Sequence, residues 1–248
     1  MKTSFIGGLG NMATAMIQGI LKSGLLTKED IFISDETENN QQAVDCAEII
    51  FLCVKPQLYN EVITNLKNTE GKVFVSVAPG ITIQFIEERL KGAKVIRTMP
   101  NTPARVLEGV TAVCRGKTVT GDELDFVKKL LSSFSQVFEF EEKYIDSVIA
   151  LSGSSPAYVF KLINAMAKYS EGHGIAYDIA VKMAAQSVLG AAKLLLESNE
   201  PPESLIKRVC SRGGTTEKAI EKMDELNFDN LIEKAMDACT KRAQELIL

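Results

Sequence analysis

The sequence is short of histidine and of clustered positive charge, and each shortage excludes a class of protein. His173 is the only histidine among 248 residues, which argues against a histidine-based zinc site and excludes any Ser-His-Asp triad that does not use it. The net charge is −4 and no block of Lys and Arg stands out, which argues against general nucleic-acid binding. We therefore expect no metal site and no nucleic-acid partner.

Paired cysteines and long apolar runs are also missing. The five cysteines are scattered, odd in number and never spaced as C-x-x-C, so they are expected to be reduced thiols of a cytosolic protein. The apolar start is too short for a signal peptide and leads directly into a glycine turn. No stretch approaches the ~18 apolar residues of a membrane span. The expectation is a soluble, cytoplasmic protein without a membrane partner.

The most informative stretch is the first twenty residues, which are typical of a strand, a glycine turn and a helix. Residues 8–13, Gly-Leu-Gly-Asn-Met-Ala, fit the pattern G-x-G-x-x-G/A. Gly8 would allow the tight turn, Gly10 would let the backbone approach a pyrophosphate, and Ala13 would let the helix pack on the strand. Free N–H groups at the helix start would face the anion. The alternative is a tight turn that binds no ligand.

Asp35 ends the second predicted strand, residues 31–35, about twenty residues past the glycines, where an acidic side chain takes the ribose 2′-OH of NAD. A solvated acid at a strand end is the other interpretation. Residues 36–48 are too few for the helix and strand that a complete mononucleotide fold places here. Either the protein has lost them or the sequence lacks a segment, and we favour the second explanation.

Strands alternate with helices up to residue 143, and helices alone follow. This pattern predicts an α/β Rossmann-like dinucleotide-binding domain over residues 1–143 and an all-α domain over residues 144–248. The predicted helix 179–196 is apolar nearly all round and rich in Ala and Gly, as buried helices are. We expect it to pack against a second subunit. Burial inside one subunit's own bundle is the alternative.

Three loops at strand ends, residues 8–12, 55–57 and 99–103, are expected to converge on one edge of the sheet. Pro56 stops one strand and fixes the loop after it. The amide of Asn101 is suited to hydrogen-bonding a carboxamide such as that of nicotinamide. A turn asparagine between two prolines is the other interpretation.

A second candidate site lies in the helical half. Gly213, Gly214, Thr215 and Thr216 precede a helix and offer backbone N–H groups and hydroxyls that suit a carboxylate. A glycine turn with a simple Ser/Thr cap remains an alternative. Residues 152–158 have similar chemistry, and there we favour capping, with Pro156 in the first helical turn.

These stretches together resemble the pyrroline-5-carboxylate reductase family over nearly the whole chain. The matching motifs are the glycine turn with Asn11 and Met12, then Val54-Lys55-Pro56-Gln57, residues 99–103, residues 152–158, Gln186, Gly190-Ala191-Ala192 and Gly213-Gly214-Thr215-Thr216. The last motifs are the most specific, because a generic Rossmann enzyme would lack them.

The resemblance implies reduction of 1-pyrroline-5-carboxylate to proline with NADPH or NADH, the last step of proline synthesis. It implies a homodimer, often assembled into a decamer, formed through the C-terminal helical domain. Gly213, Gly214 and Thr215 would bind the substrate carboxylate, and Thr216 would be catalytic, through the ring nitrogen or a water. The implied cofactor site comprises Gly8, Leu9, Gly10, Asn11, Met12, Asp35, Val54, Lys55, Pro56 and Asn101.

Two departures from the family pattern are visible. Arg212 stands where the family usually has proline, and it would either add charge near the carboxylate or merely change the loop. No Arg or Lys follows Asp35 to hold a 2′-phosphate, so the visible residues favour NADH although the family favours NADPH. Two alternative functions remain. One is a β-hydroxyacid dehydrogenase or imine reductase with the same two-domain architecture, and the other is a non-catalytic nucleotide-binding paralogue.

Overall fold

The structure is a computed structural model that describes residues 1–35 and 37–246; Glu36, Ile247 and Leu248 lie outside the described residues. The strands are β1 (Thr3–Ile6), β2 (Ile31–Ser34), β3 (Ile49–Leu52), β4 (Val73–Ser76), β5 (Lys94–Pro100), β6 (Gly109–Arg115) and β7 (Ser135–Glu139). The helices are α1 (Asn11–Ser23), α2 (Asn40–Asp45), α3 (Tyr59–Thr64), α4 (Ile83–Arg89), α5 (Gly121–Leu131), α6 (Ile145–Val148), α7 (Ser155–Glu171), α8 (Tyr177–Ser198), α9 (Pro202–Val209), α10 (Thr215–Glu225) and α11 (Phe228–Glu245).

The strands form one sheet in the order β2-β1-β3-β4-β5-β6-β7. Neighbouring strands are parallel, except that β5 and β6 are antiparallel. Every residue of β1, β3 and β4 is buried, as expected for apolar strands covered on both faces. The rings of Phe5 and Phe51 stack at 4.7 Å between paired strands. The predicted, largely parallel α/β sheet is confirmed.

Two hydrophobic cores cover the two faces of the sheet because alternate side chains of each strand point in opposite directions. One core joins Ile6, Ile50 and Phe74 to α3 and α4, and the other joins Phe5 and Phe51 to α1 and α5. These cores fix the carboxyl ends of β1, β3, β4 and β5 along a single edge, where ligands of open α/β sheets bind.

The connection between β2 and β3 is short. It contains only a 3₁₀ turn, Thr37–Asn39, and α2 among its described residues. The hydroxyl of Ser34 donates a hydrogen bond of 2.7 Å to the side-chain oxygen of the buried Asn40, which ties the start of α2 to the end of β2. β2 is one of the two edge strands of the sheet.

The chain divides into two compact units, Met1–Ser154 with Asp237–Leu248, and Ser155–Met236. The helical character predicted beyond residue 143 is confirmed for the described residues. The domain boundary at residues 143 and 144 stays a prediction. The second unit contains α7 and α8, which pack on each other through the buried residues Ala167, Ala180 and Ala184.

Most of α8 is exposed in the single chain. Ile179, Met183 and Leu194 are 51%, 58% and 52% exposed, so burial within the chain's own bundle does not account for this apolar helix. By length and composition alone, α8 is long and apolar enough to cross a membrane. The expectation that no stretch of the sequence is apolar enough for a membrane span is therefore wrong for this helix. An apolar face this large is typical of a surface that another protein covers.

Candidate active site

The turn after β1 is held against the ends of two other strands. The N–H groups of Gly7 and Gly8 donate to the carbonyl oxygen of Ser34 at 2.8 and 3.2 Å. Gly7 has φ +76°, whereas a Cβ on Gly8 would lie 2.4 Å from Cγ2 of Ile33. The N–H of Gly10 donates to the carbonyl of Gly7 at 3.3 Å, so Gly8 lies within the tight turn, as predicted, and has no room for a side chain. The left-handed residue is the preceding Gly7.

The start of α1 suits a pyrophosphate. Gly10 is the N-cap residue, and a Cβ there would meet nothing closer than 3.5 Å, so the turn is open on this side. The first hydrogen bond of α1 runs from the N–H of Thr14 to the carbonyl of Gly10, at 2.9 Å. The N–H groups of residues 11–13 precede it, so they have no carbonyl acceptor within the helix and can bind an anion. Ala13 is buried against the sheet, as predicted. Leu9 is exposed at the tip of the turn.

Asp35 lies beside this turn. Its Oδ1 accepts a hydrogen bond from the N–H of Leu9 at 3.2 Å, and its side chain is exposed. The carboxylate is therefore held at the end of β2, next to the glycine turn, which is where a ribose binds in this architecture.

A cavity of about 300 Å³ opens at the same edge of the sheet. It brings together the three loops predicted to converge, together with residues 77–79 and Gly153, which were not predicted to lie there. Its lining residues are Met12, Cys53, Val54, Lys55, Pro56, Val77, Ala78, Pro79, Met99, Pro100, Asn101, Thr102 and Gly153. Residues 77–79 follow β4, so the same strand-end rule would have included them.

The walls of this cavity carry little charge. Among its described lining residues, Lys55 and Cys53 are the titratable ones. Burial raises the pKa of the Cys53 thiol to about 12, so it is a neutral, unreactive thiol at physiological pH. Behind the cavity, the buried hydroxyl of Tyr59 donates to the carbonyl of Leu52 at 2.7 Å and lies 3.0 Å from Oγ of Ser76. This contact anchors the carboxyl ends of β3 and β4.

Asn101 lines the cavity, but its amide is engaged within the protein. Its nitrogen donates to the carbonyl of Ser152 at 3.0 Å, and its oxygen accepts from the N–H of Val110 at 2.8 Å. The side chain thus joins the end of β5 to β6 and to the π-helical turn Ile149–Gly153. These bonds support a positioning role, and direct contact with a carboxamide stays a prediction.

Replacing Asn101 with Ala is expected to destabilise the protein by about 2 kcal/mol, because the carbonyl of Ser152 and the N–H of Val110 lose their buried partner. Urea unfolding without cofactor measures this change. Thr102→Ala, at the exposed neighbouring position, is the control and should change stability little. Equal stability of the two variants would contradict the positioning role.

The second candidate site begins α10. Gly214 is its N-cap residue, and Gly213 has φ +72°. The N–H of Gly214 donates to the carbonyl of Ser211 at 2.8 Å, and the N–H of Gly213 donates to a carboxylate oxygen of Glu217 at 2.7 Å. Both glycine N–H groups predicted to bind substrate thus have acceptors within the chain, and one acceptor is a carboxylate. Thr215 and Thr216 open α10, where N–H groups lack helical acceptors.

A larger cavity, of about 520 Å³, lies at the opposite edge of the sheet, between Arg115 at the end of β6 and Tyr144. Arg115 pairs with Ile96 near the start of β5, whereas the strand-end cavity adjoins Pro100 at its end. The larger cavity is therefore remote from the glycine turn and is not part of the candidate active site.

The parallel sheet, the glycine turn at α1 and the strand-end cavity define an NAD(P)-dependent oxidoreductase with a separate helical unit. Residues 34–80 match the family model "NADP oxidoreductase coenzyme F420-dependent", and residues 142–246 match "Pyrroline-5-carboxylate reductase dimerisation". A pyrroline-5-carboxylate reductase of Corynebacterium melassecola is 34% identical over 268 aligned residues, covering 99% of each chain. The chain belongs to the pyrroline-5-carboxylate reductase family, which confirms the resemblance seen in its motifs.

Solved structures agree with this assignment. Pyrroline carboxylate reductase of Plasmodium falciparum with NADP bound has a TM-score of 0.91 at 26% identity, covering 100% of this chain and 98% of the other. A pyrroline-5-carboxylate reductase of Coxiella burnetii has a TM-score of 0.90 at 31% identity, covering 99% and 98%. The Corynebacterium alignment exceeds the 248 residues of this chain by 20 positions, so at least that many have no counterpart here.

Proposed function

We propose that this protein reduces 1-pyrroline-5-carboxylate to L-proline with a hydride from NAD(P)H, the last step of proline biosynthesis. Family membership over the full length of the chain carries this proposal. The glycine turn supports it as well, because the close contacts of Gly7 and Gly8 leave no room for side chains, as a turn that cradles a pyrophosphate requires.

The cofactor site is proposed to begin at the glycine turn. Gly8 and Gly10 shape the backbone, and the N–H groups of residues 11–13 hold the pyrophosphate. Asp35 holds the adenosine ribose, and residues 54–56 with Asn101 enclose the nicotinamide end. Bound NAD(P)H supplies the hydride.

The substrate carboxylate is proposed to bind at the start of α10, through the N–H groups and hydroxyls of Thr215 and Thr216. The contact between Gly213 and Glu217 supports this, because it is a carboxylate already bound to the same loop. A substrate carboxylate that displaces Glu217 gains the N–H of Gly213 as well. Gly214 keeps the loop closed by its bond to Ser211.

Few side chains need to act in the chemical step. A protonated cyclic imine is already electrophilic, so positioning and the exclusion of water supply most of the catalysis. Thr216 is proposed to hydrogen-bond the ring nitrogen, directly or through a water. Lys55 is the charged group at the strand-end cavity, and Cys53 stays neutral.

Thr216→Ala is expected to lower kcat/KM for pyrroline-5-carboxylate by roughly tenfold or more, the size of one lost hydrogen bond to a charged group. Thr216→Ser keeps a hydroxyl and should restore most of the activity. Steady-state kinetics of the two variants test this role. Unchanged kinetics in Thr216→Ala would remove Thr216 from the mechanism.

A homo-oligomer formed through the helical unit is proposed, as a homodimer that can assemble into a decamer. The match of residues 142–246 to a dimerisation family supports it, and so does the exposed apolar face of α8. The same match favours protein contact over membrane insertion for α8.

A reducing, cytoplasmic location is also proposed. It is supported by the five cysteines, which are all unpaired.

The decisive assay is the initial rate of NADH and NADPH oxidation with pyrroline-5-carboxylate. We expect turnover with this imine and none when short 3-hydroxy acids are offered with NAD⁺ or NADP⁺. Activity on the hydroxy acids alone would indicate the β-hydroxyacid dehydrogenase alternative. Cofactor binding without any turnover would indicate a non-catalytic paralogue.

A further inference from the structure

We infer that Arg97 is a positioning residue of the active site. Through Glu142 and Asp146, its guanidinium sets the place of the π-helical turn Ile149–Gly153, which contributes Gly153 to the wall of the strand-end cavity. The inference rests on the proposed function, because this cavity is where the nicotinamide end of the cofactor is proposed to lie. All the residues concerned belong to the first compact unit.

Arg97 is a buried charge on β5. Its side chain is 3% exposed and shares a face of the strand with Val95 and Met99, which pack in the same apolar core. A cation in such a place costs free energy unless it is paired, and apolar residues of similar size often serve stability as well as a buried ion pair does. Stability alone is therefore a weak explanation for Arg97, and its partners indicate its role.

Two acids hold the guanidinium of Arg97. Nη1 donates to Oε1 of Glu142 at 3.0 Å, and Nη2 lies 3.8 Å from Oδ1 of Asp146. The same oxygen of Glu142 also accepts the N–H of Ile83, the first residue of α4, at 2.8 Å. Asp146 lies in the first turn of α6. The buried cation thus joins β5 to the start of α4 and to the start of α6.

The helical segment that starts at these acids ends at the strand-end cavity. α6 runs directly into the π-helical turn Ile149–Gly153. Near the end of this turn, the carbonyl of Ser152 accepts the amide N–H of Asn101, the residue that follows β5. The segment is therefore tied to the β5 region at both ends, by Arg97 at its start and by Asn101 at its end.

The wall of the cavity lies between these two ties. Met99 and Gly153 both line the cavity, and a Cβ added to Gly153 would lie 3.2 Å from Cε of Met99. A π-helical turn is an irregular element that is often found at functional sites, and its position here depends on the two ties. Loss of the tie at Arg97 should let the turn shift, and a shift of about 1 Å at a reacting centre costs on the order of 100-fold in rate.

The first test is Arg97→Met, which keeps the apolar stem of the side chain and removes its charge. In the full-length enzyme we expect kcat with pyrroline-5-carboxylate to fall by roughly 30-fold or more. The affinity for ADP-ribose, a probe of the glycine turn that lacks the nicotinamide, should change little. Arg115→Met is the matched control, because the ion pair of Arg115 with Glu139 on the neighbouring strands is 3.9 Å long and exposed. A parental kcat in Arg97→Met would overturn the inference.

A triple variant separates positioning from stability. Arg97→Met alone leaves the carboxylates of Glu142 and Asp146 without their cation, which destabilises the fold. Adding Glu142→Gln and Asp146→Asn removes those two charges, so the melting temperature should recover. We expect kcat to stay low, because the tie through the guanidinium is still missing. Recovery of kcat together with the melting temperature would show that Arg97 only stabilises the fold, and the inference would be wrong.

The fluorescence of bound NADH and NADPH gives a readout that does not depend on turnover. In Arg97→Met the anisotropy of the bound reduced nicotinamide should fall towards that of the free dinucleotide, whereas Arg115→Met should match the parent protein. Equal anisotropy in the parent and Arg97→Met would contradict the positioning role. A fall in anisotropy in a protein whose parent does not reduce pyrroline-5-carboxylate would instead contradict the proposed function and leave the role of Arg97 standing.

Discussion

A Met183→Glu variant is expected to be monomeric and to lose most of its activity. Ile179, Met183, Gly190 and Leu194 share one face of α8, since they are spaced by multiples of a helical turn. Nothing lies within 4 Å of a Cβ added to Gly190, so a partner can approach the helix closely there. A carboxylate at the centre of this face would be buried unpaired in the proposed dimer, and the dissociation constant of that dimer should rise roughly 1000-fold.

Light scattering coupled to size-exclusion chromatography measures the molar mass of the variant in solution. Measurement of kcat/KM over a range of enzyme concentrations shows whether activity depends on subunit association. Lys129→Gln, on the exposed side of α5, changes the net charge by the same amount and should leave both unchanged. A Met183→Glu protein that stays dimeric would contradict the assignment of this face. A fully active monomer would show that each subunit is catalytically complete.

Gly214→Ala is expected to lower kcat/KM by at least about 100-fold while leaving NADH affinity intact. The added Cβ would lie 2.5 Å from Oγ and 2.8 Å from the carbonyl oxygen of Ser211. The hydroxyl can rotate away, but the carbonyl belongs to the turn that Gly214 itself closes. The loop must therefore open and displace the N–H groups that are proposed to hold the substrate carboxylate, and an error of about 1 Å in positioning costs this much in rate.

Gly121→Ala is the matched control, because Gly121 also begins a helix and has nothing within 4 Å of an added Cβ. Its kinetics should match those of the parent protein. Isothermal titration with NADH and the kinetics with pyrroline-5-carboxylate separate cofactor binding from catalysis. A Gly214→Ala enzyme with normal kinetics would exclude this loop from substrate binding.

The sequence predicts the sheet, the glycine turn and the convergence of the strand-end loops, because each depends on local periodicity or on the shared direction of parallel strands. It does not predict that Gly7, which precedes the motif, is the residue with a positive φ. The left-handed conformation of Gly7 results from packing against Val54 and bonding to Ser34, which are distant in sequence. A motif records spacing and does not record which glycine the neighbouring strands force into a positive φ.

The side-chain contacts of the site were also beyond sequence reasoning. Asn101 satisfies partners at Val110 and Ser152, the second of them 51 residues away, and only the folded chain brings them together. The bond from Gly213 to Glu217 is local, and an acidic residue in the first turn of a helix was a usable signal for it. For α8, a helix buried by a partner subunit and a helix buried within its own chain have the same apolar composition. Composition alone therefore does not distinguish these two kinds of burial.

The end of α11 returns to the first compact unit, where Ala243 joins the core that also contains Ile145 and Phe74. During synthesis on a ribosome, residues 1–154 leave the exit tunnel long before this last segment does. The nucleotide-binding unit therefore remains incomplete until the segment from Asp237 onward has been synthesised. A truncation that removes Ala243 takes a core residue from that unit, although Ala243 lies more than 200 residues from the glycine turn in the sequence.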